Sequence, residues 1–191
     1  MGSRGFSLLE MTISVGIVLT MAAVAAPMFR ARFADAHLLG AAQQFKARFR
    51  LAHSTAVRNG VYTAIRFERR ADGGVDYSVY ADGNGNGVLS ADIARGRDRL
   101  IEGPLPLSGG APGVWVGFNP GVPELPPEHG LLSGDPVRFG VSDILSFSPL
   151  GTATPGTFYL AGDSAQAAVR VTGGSARVRL MLWRGGKWQE R

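Results

Sequence analysis

Four groups of residues in this sequence have types and spacings suited to chemistry. The first is a single acid. Glu10 is the only formally charged residue in the apolar run FSLLEMTISVGIVLTMAAVAAPMF, from Phe6 to Phe29. Placing an acid at the middle of a membrane helix costs about 2.5 to 3.5 kcal/mol. Near the helix end the cost falls, but the carboxylate still needs a cationic mate, and a charge kept in such a segment marks function. No Lys or Arg lies between Phe6 and Phe29. A free amine is the remaining partner, and cutting the chain before Phe6 would create one four residues upstream. It could pair within one chain or with a neighbouring copy.

The second group is the run DGNGNGVLS from Asp82 to Ser90. Asp82, Asn84, Asn86 and Ser90 have the oxygen spacing of a calcium loop of the EF-hand type, and Gly87 permits its sharp turn. The match then departs: the twelfth position is Ile93, where a bidentate Glu is needed, and Asp92 falls one short. Two carboxylates hold calcium weakly, and a Gly/Asn-rich turn accounts for the same residues without a metal.

The third group is the basic tail. From Arg170 onward six basic residues face one acid, Glu190, with Trp183 and Trp188 interleaved. Arg177, Arg179, Arg184 and Lys187 could pair with phosphates while the indoles stack on bases, a chemistry that suits DNA. The alternative is an exposed strand face whose cations guard an edge. In a strand, Arg177 and Arg179 share one face, with Val178 and Leu180 between and beyond them.

The fourth group bears on catalysis, and it is poor. His37 and His53 sit in a helical stretch and His129 in a Pro-rich one, without metal-ligand spacing. Gly162-Asp163-Ser164 resembles part of a nucleophile elbow but lacks the closing glycine, so its residues read as a turn. The glycines from Gly83 to Gly87 lack the parallel-sheet unit of a dinucleotide fingerprint. The residues point to no enzyme.

These groups must be positioned by a small set of elements. The chain has 191 residues, 27 Gly, 11 Pro, no Cys and a formal charge of +5. Beyond the N-terminal helix that length suffices for one domain with its own core. Disulfides and thiolate metal sites are excluded. The basic surplus suits anionic partners and equally serves solubility. Met11 to Phe29 carries no charge, so about 19 residues could cross a bilayer core as a helix. The helix should continue, because Leu38, Ala42, Phe45, Phe49, Ala52 and Ala56 recur at spacings of four and three on one face. Asn59-Gly60 is a stop. A helix from Phe6 to Arg58 would be roughly 80 Å long, bent at Pro27.

Strands follow. Val61–Glu68 alternates, Arg70–Gly74 is a turn, and Val75–Ala81 returns, so the pair reads as a hairpin. Asp82–Arg99 reads as a loop. Further strands are expected at Arg99–Ile101, Val114–Phe118, Val137–Phe139, Ile144–Ser148, Gly156–Ala161, Ala168–Thr172 and Arg177–Trp183. The last two form a second hairpin about Gly173-Gly174. The fold class is α+β: a long N-terminal spine helix, lollipop fashion, followed by a β-sandwich-like domain of antiparallel sheets.

The N-terminal residues also carry a resemblance. Gly5-Phe6-Ser7-Leu8-Leu9-Glu10, after a short basic leader, resembles the type IV prepilin signal. In that superfamily a prepilin peptidase cuts after the glycine and methylates the new N-terminus. The resemblance implies cleavage between Gly5 and Phe6, N-methylphenylalanine at Phe6, and an assembly role for Glu10. Pro27 matches a helix-kinking proline frequent in pilins. The layout resembles the GspH/FimT-type minor pilins and pseudopilins, as does Phe147-Ser148-Pro149-Leu150-Gly151 ahead of two closing strands. Members implicated in DNA uptake carry a Gly-Arg-x-Arg motif; here Ala176 precedes Arg177-Val178-Arg179, so both arginines match and the glycine does not.

What the resemblance implies is a structural subunit of a type II secretion pseudopilus or a type IV pilus, near its tip. Residues 1–5 would be the leader, 6–29 the transmembrane and assembly helix, 30–58 its amphipathic half, and 59–191 a periplasmic domain anchored to the bacterial inner membrane. The implied partners are other pilins through the N-terminal helix, the prepilin peptidase and the membrane. A DNA-binding minor pilin and a membrane-anchored periplasmic binding protein or enzyme remain as alternatives.

Overall fold

The computed structural model describes residues 7–107 and 111–191, and only the backbone of residues 25–32. The expected cleavage at Gly5 and Phe6 lies outside the described residues, and so does the side chain of Pro27. Helical backbone, α1, covers Leu8–Asn59. The chain divides into two units, Met1–Phe33 and Ala34–Arg191, and α1 contributes to both.

In the first unit α1 starts at a serine. The Glu10 N–H donates to the Ser7 hydroxyl at 3.3 Å, and the Met11 N–H to the Ser7 carbonyl at 3.1 Å. That is an N-cap, and Ser7-x-x-Glu10 has the spacing of a capping box. From Leu8 to Val24 every described side chain is exposed, Leu8, Met11, Val18 and Val24 among them.

In the second unit α1 buries Leu38, Ala42, Phe45, Phe49, Ala52 and Ala56, the stripe expected from their spacing, with Ala41 beside it. It ends as Gly60 takes a φ of 68°, the left-handed conformation that a helix stop favours. Among the described residues ten strands and one short helix follow. They are β1 (Thr63–Arg69), β2 (Val75–Ala81), α2 (Ser90–Ala94), β3 (Arg99–Pro106), β4 (Val114–Val116), β5 (Val137–Arg138), β6 (Ile144–Phe147), β7 (Gly156–Gly162), β8 (Gln166–Val171), β9 (Val178–Arg184) and β10 (Lys187–Glu190).

All the strand pairs are antiparallel. One sheet has the order β3-β2-β1-β6; the other runs β10-β9-β8-β7-β4, with β5 also on β7. The two face each other across one core. Phe67 of β1 lies 6.3 Å from Phe158 of β7, ring to ring. Phe45 of α1 meets Tyr77 of one sheet at 5.6 Å and Phe158 of the other at 5.2 Å, both edge-on. Such geometry adds about 0.5 to 1.5 kcal/mol per aromatic pair beyond burial.

The outer face of each sheet is covered by a loop. Val88 and Ile93, from the Asp82–Asp98 loop, pack on Ala64, Tyr80 and Ile144. Val122, Leu125 and Leu132 pack on Tyr159 and Ala168, with Phe118, Trp183 and Trp188 around them. Arg138 ties that second loop down. It grips both Glu124 carboxylate oxygens at 3.1 Å, donates to the Ser133 and Asp135 carbonyls, and lies over the Phe118 and Tyr159 rings.

Three elements differ from the expectation. The stretch expected as a loop from Asp82 to Arg99 contains α2. β3 extends past Ile101 to Pro106, through irregular register with β2. β10 was not expected; its signal is Gly185-Gly186, whose φ values of 60° and 80° make a tight hairpin turn with β9.

Candidate functional site

The N-terminal segment combines one acid with an apolar surface. Glu10 sits in the first turn, where its charge complements the helix dipole. The hydroxyls of this segment turn inward on their own helix. Thr12 donates to the Leu9 carbonyl at 2.8 Å, Ser14 to Glu10 at 2.7 Å, and Thr20 to Gly16 and Ile17 at 3.1 and 2.8 Å. An apolar neighbour would therefore meet no unpaired hydroxyl donor on this surface. Among the described residues no helix is long and apolar enough to cross a membrane.

Strand register separates the four basic candidates. Val178, Leu180 and Leu182 point into the core, so Arg177 and Arg179 lie on the opposite side, with Met181 and Trp183. Arg184 has the parity of Leu182, and Lys187 is paired directly across from it. Arg177 and Arg179 therefore belong to one face and Arg184 and Lys187 to the other. Arg177 pairs with Glu190 at 3.6 Å, and Arg184 with Asp35 of α1 at 2.9 Å. Arg170 lies across from Arg179, held by Thr157, the Pro126 carbonyl and Glu128. Trp188 donates its indole N–H to the Pro123 carbonyl at 3.1 Å, and its ring meets Trp183 at 5.7 Å. The indoles serve the loop over the sheet.

The carboxylates of the Asp82–Asp98 loop are all buried, and the loop supplies a donor to each oxygen. Asp82 accepts from the N–H groups of Asn84 and Gly85 on one oxygen, at 2.9 and 2.8 Å, and of Gly87 on the other, at 2.8 Å. Asp98 accepts from Gly83 and Leu89. Asp92 receives the amides of Asn86 and Asn84 at 3.0 and 3.3 Å and the Arg97 guanidinium at 3.2 Å. The Asn86 amide, with the Asn84 amide and the Arg97 guanidinium, holds the Asp92 carboxyl below the usual carboxylate range. Ser90 opens α2. The calcium candidates Asp82, Asn84, Asn86 and Asp92 thus close the loop on one another. Among the described residues no group of three or more His, Cys, Asp or Glu side chains is placed to hold a metal ion.

Ser164 lies in the β7–β8 turn and donates to Asp35 at 2.8 Å, with no histidine partnering it. His53 faces the Phe147 ring at 5.6 Å.

A family model described as type II transport protein GspH matches residues 41–176. The matched span begins inside α1 and stops in the β8–β9 turn, so Glu10, Arg177 and Arg179 lie beyond it. No curated protein and no solved structure matches the chain.

Proposed function

The chain belongs to the GspH family, and we propose that it is a minor pseudopilin, a structural subunit that joins other pseudopilins through its N-terminal helix. The observation that carries this reading is a helix segment whose side chains from Leu8 to Val24 are exposed, whose hydroxyls bond to their own backbone, and which bears one acid. Such a surface is stable when covered by lipid or by like helices. Residues 11–29 lie in the inner membrane before assembly, with the domain in the periplasm. Prepilin peptidase removes residues 1–5 and methylates Phe6.

In the assembled state Glu10 pairs with the methylated amine of the adjacent subunit. Two charges buried apart would each cost several kcal/mol, whereas together they fix the axial register of one helix on the next. Gly16, Thr20 and Ala23 provide the small surfaces that close helix packing needs. Mass spectrometry of the N-terminal peptide, from cells with and without the peptidase, tests the processing step. The reading expects a chain that starts at methylated Phe6 only where the enzyme is present. A chain that keeps its leader in both would overturn it.

A further inference from the structure

Between Leu8 and Asn59 the sequence has only two acids, Glu10 and Asp35. Asp35 stands just inside the second unit, which begins at Ala34. Its carboxylate receives two donors distant in sequence. The Ser164 hydroxyl donates to one oxygen at 2.8 Å, and the Arg184 guanidinium pairs with the other at 2.9 Å. The carboxylate is mostly buried, at 16 % exposure, while Arg184 is half-exposed.

The turn that carries Ser164 is braced by contacts of its own. Asn119 donates its amide to the Gly162 and Ala165 carbonyls, both at 2.9 Å, bracing the turn that carries Ser164. The fully buried Gln166 accepts from the Asn119 N–H and donates to the Gly117 and Leu160 carbonyls. Gly162 seats that turn on α1: a Cβ there would come within 3.4 Å of the Leu38 side chain, and Leu38 is fully buried one turn after Asp35. Arg184 ends β9, beside the Gly185-Gly186 turn. Two donors thus converge on one carboxylate on the first turn of α1 in this unit.

We propose that Asp35, Ser164 and Arg184 form a polar clasp that holds the first turn of the domain's helix on the β7–β8 turn, and that releasing it frees residues 34–37, ahead of the buried Leu38, without unfolding the sheets. A polar clasp suits this task. An apolar seam opens only by exposing surface to water, whereas a half-exposed ion pair can trade its partners for water. Its use in assembly rests on the pseudopilin reading. The clasp itself does not depend on that reading.

Hydrogen–deuterium exchange on the full chain in detergent tests it. Arg184→Ala leaves the α1 sequence intact, so any change in α1 is transmitted across the contact. The amides of residues 34–37 should exchange about two- to fivefold faster, as loss of a half-exposed ion pair implies, while those of β1 and β7 stay protected. Asp35→Ala should do the same, and the double variant should add little to either. Asp35→Arg with Arg184→Asp should restore slow exchange. Should the alanine variant fail to fold, Arg184→Gln keeps the stem and removes the charge. Unchanged exchange in residues 34–37, or a rise shared equally by the sheets, would overturn the clasp.

Discussion

At the residue scale, polar groups decide where this chain is held. Asp82 gathers three backbone N–H groups. Hydrogen bonds to a charged group contribute about 1.5 to 3 kcal/mol, so Asp82→Ala should cost about 3 kcal/mol in urea unfolding, with Asp82→Asn intermediate. Tyr159 gives a pH signature. Burial, helped by the nearby Glu124 carboxylate, pushes its hydroxyl up to about 12, against an ordinary value of 10.0. Tyr77 is raised too, chiefly by burial. Above pH 10 the unfolded chain releases protons that the folded chain retains. The stability these tyrosines contribute is therefore complete below that pH and is lost as pH rises toward 12. Ultraviolet titration should show Tyr77 and Tyr159 ionising late, and Tyr159→Phe should flatten the alkaline decline. Ser7 and Glu10 also carry a signal at this scale: their capping-box spacing is plain in the sequence.

At the element scale, what was legible followed local periodicity. The buried stripe of α1, the β1–β2 hairpin and the β8–β9 hairpin about Gly173-Gly174 follow from spacings of four and three, from alternation and from glycines at turns. β10 escaped because its residues, Lys187 to Glu190, are polar or aromatic in no alternating pattern; only Gly185-Gly186 announced it. The coverings of the two outer faces were not legible, since Val122 and Leu132 look like residues of a Pro- and Gly-rich connection until Tyr159 lies beneath them. The division of the basic tail could have been derived: Arg177 and Arg179 differ from Arg184 in strand parity. The β9–β10 turn gives an element-level prediction. Both its glycines have positive φ, where a side chain costs roughly 1 to 2 kcal/mol each. Replacing both by Ala should loosen β10 and abolish the circular-dichroism exciton signal of the tilted Trp183–Trp188 pair. A retained signal would mean that the turn does not hold the hairpin.

At the scale of the whole molecule, the two units divide the work. The second unit, Ala34–Arg191, has a continuous core of α1 and both sheets, and it contains the whole span that matches the GspH family. The first unit buries none of its described side chains from Leu8 to Val24, so its stability depends on what surrounds it. In the proposed account Glu10 supplies the charge that sets register between neighbouring subunits. Glu10 also occupies the third position of a capping box, which offers a purely local role. Glutamine separates the two, because it serves a capping box as glutamate does but carries no charge. The decisive measurement is the amount of Glu10→Gln protein incorporated into pseudopili, relative to wild type, at equal levels in the membrane. The account predicts membrane insertion at the normal level and incorporation reduced at least tenfold, as severe as in Glu10→Ala. Incorporation of Glu10→Gln at the wild-type level would contradict it, and would leave Glu10 as a helix cap alone.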